Sequence, residues 1–90
     1  MIKSVHLKIY GIVQGVFFRK FTKQKADELD IKGWVRNADD GSVEIKAEAT
    51  AETLDLFIEW CHNGPQRAVV NKVDVTESAS GNFTSFEIRR

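Results

Sequence analysis

The hydrophobic period of this chain switches repeatedly between two and about 3.6 residues, and the order of the switches leaves few folds open. Residues 4–10 alternate strictly between polar and apolar, with Val5, Leu7 and Ile9 on one face, which indicates a half-buried strand. After a short loop, apolar residues recur within one broad arc of a helical wheel, and this predicts a helix of about three turns that ends near Asp30.

The middle of the chain contains two strand patterns that are joined by a turn signal. The segments IKGWVRNAD and SVEIKAEA are rich in strand formers, and Asp40 and Gly41 between them predict a two-residue hairpin turn. The second segment alternates, and its inward face is expected to consist of Val43, Ile45, Ala47 and Ala49.

The clearest helical spacing lies at Leu54, Phe57, Ile58 and Cys61, which stand at i, i+3, i+4 and i+7. Thr50 is the expected N-cap, and the sequence NGP stops the helix. The segment AVVNKVDVTES then predicts a fourth strand, and FTSFEIRR predicts a short terminal one.

The resulting order is βαββαβ with a tail, without repeats or linkers, so we expect residues 1–90 to form a single domain. Right-handed crossovers and the hairpin favour an α+β fold of the ferredoxin-like type. In this two-layer sandwich, two helices cover one face of an antiparallel sheet, and the short C-terminal strand is added to it.

The charge balance argues against a polyanionic partner. Thirteen basic and thirteen acidic side chains cancel, so the chain lacks the long-range field that attracts nucleic acid or an anionic membrane. No apolar run approaches the ~20 residues of a membrane span, and the opening MIKSVHLKIY lacks the apolar block of a signal peptide. We therefore expect a cytoplasmic protein with neither a nucleic-acid nor a membrane partner.

The cysteine and histidine content predicts no metal site. The single cysteine, Cys61, has no partner for an internal disulfide, and His6 and His62 are too few to complete a structural zinc site with it. We expect neither a metal nor another cofactor.

The segment GIVQGVFFRK, residues 11–20, has the features of an oxyanion site at the start of a helix. Gly11 and Gly15 allow successive backbone N–H groups to point inward, and the positive end of the helix dipole favours an anion. Arg19 adds a fixed positive charge in the first helical turn. Taken alone, these features also fit a tight turn that is followed by a solvated arginine.

Asn37 is expected to face this loop. In the predicted topology the first and second strands run the same way with the third between them, so their carboxyl ends share one edge of the sheet. The backbones of the first and second strands are two strand spacings apart, or roughly 10 Å, and the side chains of Arg19 and Asn37 are long enough to bridge this gap around a small oxyanion. Asn37 alone also fits ordinary turn chemistry before the sequence DDG.

Two blocks of the sequence, GIVQGVFFRKF and GWVRNADDGSVEI, resemble the signature of the acylphosphatases, and the resemblance continues to the closing FEIRR. It implies the ferredoxin-like fold and a monomeric enzyme that hydrolyses small acyl phosphates, such as acetyl phosphate, to carboxylate and phosphate without a metal. It also implies that Arg19 binds the phosphate and that Asn37 holds the attacking water. The implied amide cradle consists of Gln14, Gly15, Val16, Phe17 and Phe18. Phe17 departs from bacterial members, in which glycine is common, and should stiffen the loop.

The residue types agree with this chemistry. An acyl phosphate already carries a good leaving group, so an enzyme needs to hold the phosphoryl oxygens and to place a water in line, without a strong general base. The planar fork of Arg19 suits two phosphate oxygens, and the uncharged Asn37 orients water without repelling the dianion.

Three other interpretations are weaker. In CHNGPQR, Cys61 and Arg67 have the spacing of a cysteine-dependent phosphatase, but such a cysteine follows a strand, whereas Cys61 closes a helix. RNA binding is disfavoured, because the third strand has no exposed aromatic run. A regulatory domain like the N-terminal part of hydrogenase maturation factors keeps the same loop, but such domains sit within long chains that carry zinc-finger cysteines.

Overall fold

The computed structural model describes all 90 residues, and its elements follow the predicted order. They are β1 (Ile2–Ile12), α1 (Phe18–Glu28), β2 (Lys32–Asn37), β3 (Val43–Thr50), α2 (Ala51–Asn63), β4 (Val69–Glu77) and β5 (Phe86–Ile88). Neither helix is long and apolar enough to cross a membrane.

The sheet has the strand order β4-β1-β3-β2-β5, so β3 separates β1 from β2 as predicted. The first four strands pair antiparallel, whereas β5 pairs parallel with β2. The predicted ferredoxin-like fold is therefore confirmed, and its short terminal strand makes the complete sheet mixed.

The core lies between the sheet and the two helices. The inward residues of β1 and β3 are opposite one another in register, as in the fully buried pair Leu7 and Ile45. Phe18 from α1 and Phe57 from α2 are likewise buried and belong to the same apolar cluster. Each such side chain contributes about 1.5–3 kcal/mol when it is fully removed from water.

Helix α2 begins and ends as predicted. The Thr50 side chain accepts a hydrogen bond from the backbone N–H of Thr53 at 3.4 Å, and Gly64 follows the last turn with φ 67°. Gly64 also donates its N–H to the carbonyl of Trp60 at 2.8 Å, which satisfies one of the carbonyl groups that a helix end leaves free.

Gly11 belongs to a strand, so assigning it to the loop was wrong. Strand β1 continues to Ile12, and its pairing with β4 shifts register between Tyr10 and Gly11. A Cβ atom at Gly11 would lie 2.1 Å from the carbonyl oxygen of Val69, and φ is +131° there. Close backbone approach at a bulge thus requires this glycine.

The predicted two-residue turn at Asp40 and Gly41 is also wrong, although β2 and β3 do form a hairpin. Asn37 and Val43 are the last paired residues, so residues 38–42 form the connection. Within it the N–H of Ala38 donates to the carbonyl of Ser42 at 2.8 Å. Side-chain hydrogen bonds to Asp40, described below, stabilise this longer loop.

Candidate functional site

The loop between β1 and α1 consists of residues 13–17 and bends on a backbone with two positive φ values. Gly15 has φ 75°, and Phe17, the residue before the helix, has φ 62°. The first value suits glycine, whereas a bulky aromatic residue rarely adopts the second. The loop therefore reverses the chain at the end of β1 and delivers it directly into the helix.

The backbone amides of this loop are free. Residues 14–17 lie outside the helices and strands, and none of their N–H groups donates one of the backbone hydrogen bonds in the turns and loops. Their N–H groups therefore have no acceptor within the chain. The first N–H groups of α1, from Phe18 onward, also have no intrahelical acceptor. Consecutive free donors at the positive end of a helix can bind an oxyanion.

Arg19 is half-buried in the first turn of α1, and its guanidinium is steadied by the end of β5. Its Nη1 donates to the carbonyl oxygen of Arg89 at 3.4 Å. Arg89 is itself fixed, because its N–H donates to the carbonyl of Val35 at 2.8 Å and its guanidinium lies 5.1 Å from the centre of the Trp34 ring. The residue after the terminal strand thus helps to orient Arg19.

Asn37 closes β2 at the same edge of the sheet, and it lines one cleft together with Arg19. The cleft has a volume of ≈ 310 Å³ and is lined by Val13, Gly15, Phe17, Phe18, Arg19, Lys20, Asn37, Ile88 and Arg90. Three of these side chains are cationic and none is acidic. Arg19 and Asn37, which were predicted to face one another at this edge, thus line the same cleft.

Gln14 and Val16 do not line this cleft, although both belong to the loop. The side chain of Gln14 instead connects the loop to the β2–β3 hairpin. Its Nε2 donates to the carbonyl oxygens of Ala38 at 2.8 Å and of Ser42 at 2.9 Å. Because Ala38 follows Asn37 directly, Gln14 sets the distance between the loop amides and the asparagine.

The hairpin connection is further held by Asp40. Its carboxylate accepts from the hydroxyl of Ser42 at 2.6 Å and from the N–H of Ser42 at 3.0 Å, and it forms an ion pair with Lys8 at 2.9 Å. The hydrogen bonds from Ser42 and Lys8 hold the pKa of Asp40 well below its usual range. Asp40 thus remains ionised at neutral pH and supports the connection next to Asn37.

Four lining residues were not predicted from the sequence as part of the site, namely Val13, Lys20, Ile88 and Arg90. Ile88 and Arg90 reach the cleft because β5 pairs parallel with β2, so both strands end at the same edge. The sequence indicated a terminal strand but carried no signal for its neighbour or direction. Lys20 follows Arg19 directly, and only the structure shows that both reach the cleft.

The cysteine of the CHNGPQR segment is unsuited to nucleophilic attack. Cys61 is fully buried on α2, and this burial raises the pKa of its thiol far above the neutral range. Arg67 is exposed beyond the helix end. Nowhere in the chain do three or more His, Cys, Asp or Glu side chains lie close enough together to hold a metal ion.

Fold and cleft together define a small α+β protein with a loop of free backbone N–H groups at one edge of its sheet. The family model of the acylphosphatases matches residues 5–88. The chain is also 52% identical over 82 residues to the acylphosphatase of Marinobacter nauticus, covering 90% of this chain and 89% of that one. The chain belongs to the acylphosphatase family.

Solved structures agree with this membership. The crystal structure of the acylphosphatase from Bacillus subtilis superposes with a TM-score of 0.94 at 38% identity, and each chain is covered completely. Full-length HypF, in a phosphate- and nucleotide-bound form, gives the same TM-score of 0.94 at 28% identity. This chain covers only 12% of that much longer protein.

Proposed function

We propose that the cleft hydrolyses acyl phosphates through three groups of this chain. The family and its curated relatives make the protein a hydrolase, an acylphosphatase. Arg19 and the free amides of residues 14–18 hold the phosphoryl oxygens, and Asn37 orients a water molecule toward phosphorus. The observation that carries this assignment is the joint lining of one cleft by Arg19, Asn37 and part of the amide loop, namely Gly15, Phe17 and Phe18.

The reaction balances without a protein nucleophile. The water oxygen forms a bond to phosphorus while the bond between phosphorus and the acyl oxygen breaks. The acyl group leaves as a carboxylate, and the protons of the water end on inorganic phosphate. Because a carboxylate is a good leaving group, orientation of the water and stabilisation of charge on the equatorial oxygens are the main tasks of the site.

In this proposal the tasks belong to different elements. The loop and the first turn of α1 supply the positive charge and N–H donors, which act strongly because they are fixed before the substrate arrives. Removing one such preorganised donor typically costs on the order of 10² to 10³ in rate. Asn37 belongs to β2, so the water is held by a strand that the phosphate-binding loop touches through Gln14.

Release of phosphate from acetyl phosphate by the purified chain tests the proposal. We expect turnover that persists in excess chelator, since no cluster of metal ligands lies at the loop. Binding of inorganic phosphate without turnover would instead indicate a binding domain. Loss of turnover in chelator, restored by Mg²⁺, would contradict the metal-free mechanism.

A binding role is the second candidate function, because the similar structure of HypF is in a phosphate- and nucleotide-bound form. HypF is, however, far longer than this chain. The near-complete coverage of the Marinobacter nauticus and Bacillus subtilis acylphosphatases favours the enzyme. We further propose that residues 1–90 act as one monomeric, cytoplasmic domain that requires no cofactor, nucleic acid or membrane.

A further inference from the structure

A second, larger groove borders the cleft. It has a volume of ≈ 520 Å³ and lies between the start of α1 and the end of α2. Phe17 and Lys20 line both cavities, and from them the groove extends past Phe21 and Trp60 to Arg67. The hydrolysis proposed above uses loop amides at the border of the groove but not the space between Phe21, Trp60 and Arg67.

The floor of the groove is apolar and already formed in the free protein. The Trp60 ring meets the ring of Phe18 edge-on at a centroid distance of 5.9 Å and stacks on Phe57 at 6.4 Å. Phe21 lies one helical turn after Phe17, and its N–H donates to the Phe17 carbonyl at 3.1 Å. Preformed apolar walls next to polar groups are typical of small-molecule sites.

Phe17 presents its ring to solvent on an unfavourable backbone. The residue is 62% exposed, and its φ is 62°, in the left-handed region that glycine adopts without strain. In the free protein this ring has little packing to offset the strain. Strained residues of this kind are concentrated in ligand-binding loops, which favours a role in contacting a ligand.

The rim of the groove carries two cations that have no carboxylate partner. Lys20 and Arg67 form no ion pair within the chain, although seven pairs occur elsewhere. The Lys20 ammonium lies 6.0 Å from the centre of the Phe21 ring, so its charge is close to the apolar floor. The groove therefore complements a molecule with an apolar body and a negative charge.

The geometry of phosphoryl transfer indicates which molecule this is. The attacking and leaving oxygens lie roughly in line through phosphorus, so the acyl group leaves on the side opposite the water. Asn37 lines the cleft but not the groove, which begins at the shared border of Phe17 and Lys20. An acyl group directed away from Asn37 would enter the groove.

We propose that this groove binds the acyl group of the substrate and favours apolar, ring-bearing acyl groups that carry a negative charge. The proposal rests on the hydrolysis assigned above to the neighbouring cleft. Phe21 and Arg67 act as specificity-determining residues, because an acetyl group is too small to reach them.

Turnover of benzoyl phosphate relative to acetyl phosphate tests the apolar part. In Phe21→Ala we expect the ratio of the two kcat/KM values to fall about tenfold, the scale of losing contact with a small apolar group. Val75→Ala is the matched control, because Val75 on β4 is 41% exposed and Phe21 is 40% exposed. In Val75→Ala the ratio of the two kcat/KM values should stay within about twofold of the parent value. Equal ratios in Phe21→Ala and the parent would overturn the proposal.

Comparison of 4-carboxybenzoyl phosphate with benzoyl phosphate tests the charged part. The parent should prefer the carboxylated substrate at low salt, and Arg67→Gln should lower this preference about two- to fivefold, as expected of an exposed charge pair. The preference should also weaken at high ionic strength. No preference in the parent, or an unchanged preference in Arg67→Gln, would overturn the anionic selectivity.

Inhibition by the carboxylate products tests the groove independently of the proposed hydrolysis. Benzoate should inhibit the parent more strongly than acetate, and Phe21→Leu, which keeps an apolar side chain, should lose less of this difference than Phe21→Ala. A parent that hydrolyses neither anhydride contradicts the proposed function. A parent that hydrolyses both, with an unaltered benzoate preference in Phe21→Ala, contradicts the groove alone.

Discussion

Arg19 combines a fixed charge with a fixed direction, and the direction comes from the carbonyl of Arg89. We expect Arg19→Lys to lose most activity despite keeping its charge, because a single ammonium cannot reproduce a two-pronged contact with phosphate oxygens. Inhibition by inorganic phosphate should weaken alongside kcat/KM for acetyl phosphate. A lysine variant that matches the parent in both measurements would show that Arg19 is not the phosphate clamp.

Gln14 is a positioning residue whose side chain connects the loop to the hairpin through two hydrogen bonds. Gln14→Ala should lower kcat about tenfold, because small displacements of oriented groups are costly in rate. Inhibition by phosphate should weaken much less, since the loop amides remain. Gln14→Glu is the matched variant, of equal length but without the donor, and it should behave similarly.

A different result is expected if Gln14 only stabilises the fold. In that case both variants would lower the thermal midpoint, and kcat per folded molecule would stay at the parent value. Measuring the midpoint and kcat on the same preparations distinguishes the two roles.

The sequence could predict which residues line the cleft better than how each side chain is used. Arg19 and Asn37 were selected through the resemblance of two sequence blocks to the acylphosphatases, and their roles remain predictions. Gln14 was predicted only as part of the amide cradle, and its side-chain hydrogen bonds were missed because the sequence carries no signal for these distant carbonyl groups. The left-handed backbone of Phe17 was missed as well, because only the bend after β1 imposes it.

At the scale of elements, Glu48 on β3 holds the connection between β4 and β5. Glu48 is only 6% exposed, and its carboxylate accepts hydrogen bonds from the hydroxyl of Ser4 and from the N–H of Gly81, the latter at 2.5 Å. Burial acts to raise the pKa of Glu48, but these hydrogen bonds outweigh it and hold the pKa below the ordinary value of 4.5. The ionised form of Glu48 therefore stabilises the fold.

The sign of this shift predicts how stability depends on pH. A lowered pKa in the folded state means that the stabilisation is present above the ordinary pKa and is lost as pH falls through the folded-state pKa. Glu48→Gln should thus lower the thermal midpoint at pH 7, and the difference from the parent should shrink below about pH 4.5. A difference that is constant between pH 7 and pH 3 would contradict this role.

The elements themselves were predictable, because the periods of two and 3.6 are expressed over long enough segments. Some of their ends were not. From the sequence, Gly11 is predicted to belong to the loop. In the structure the β4 backbone passes close to Gly11, and strand β1 continues through it. The DG pair reads as a two-residue turn, but hydrogen bonds to Asp40 and from Gln14 favour the longer connection.

At the scale of the whole molecule, the topology creates the site. Arg19 and Asn37 are separated by a helix in sequence, and they line one cleft because β1 and β2 run the same way on either side of β3. The edge strand β5 then adds Ile88 and Arg90 from the C-terminal end. In the proposed function, phosphate binding and water orientation are carried by different elements, so we expect mutations to separate them.

The kinetics of Asn37→Ala test this separation most directly. The account predicts a loss in kcat of at least about 10² to 10³, the scale of removing one preorganised group from a reacting centre. Inhibition by inorganic phosphate should be largely retained, and the fold should survive. A normal kcat with a lowered thermal midpoint, measured on the same preparation, would contradict the account and reduce Asn37 to support of the hairpin connection.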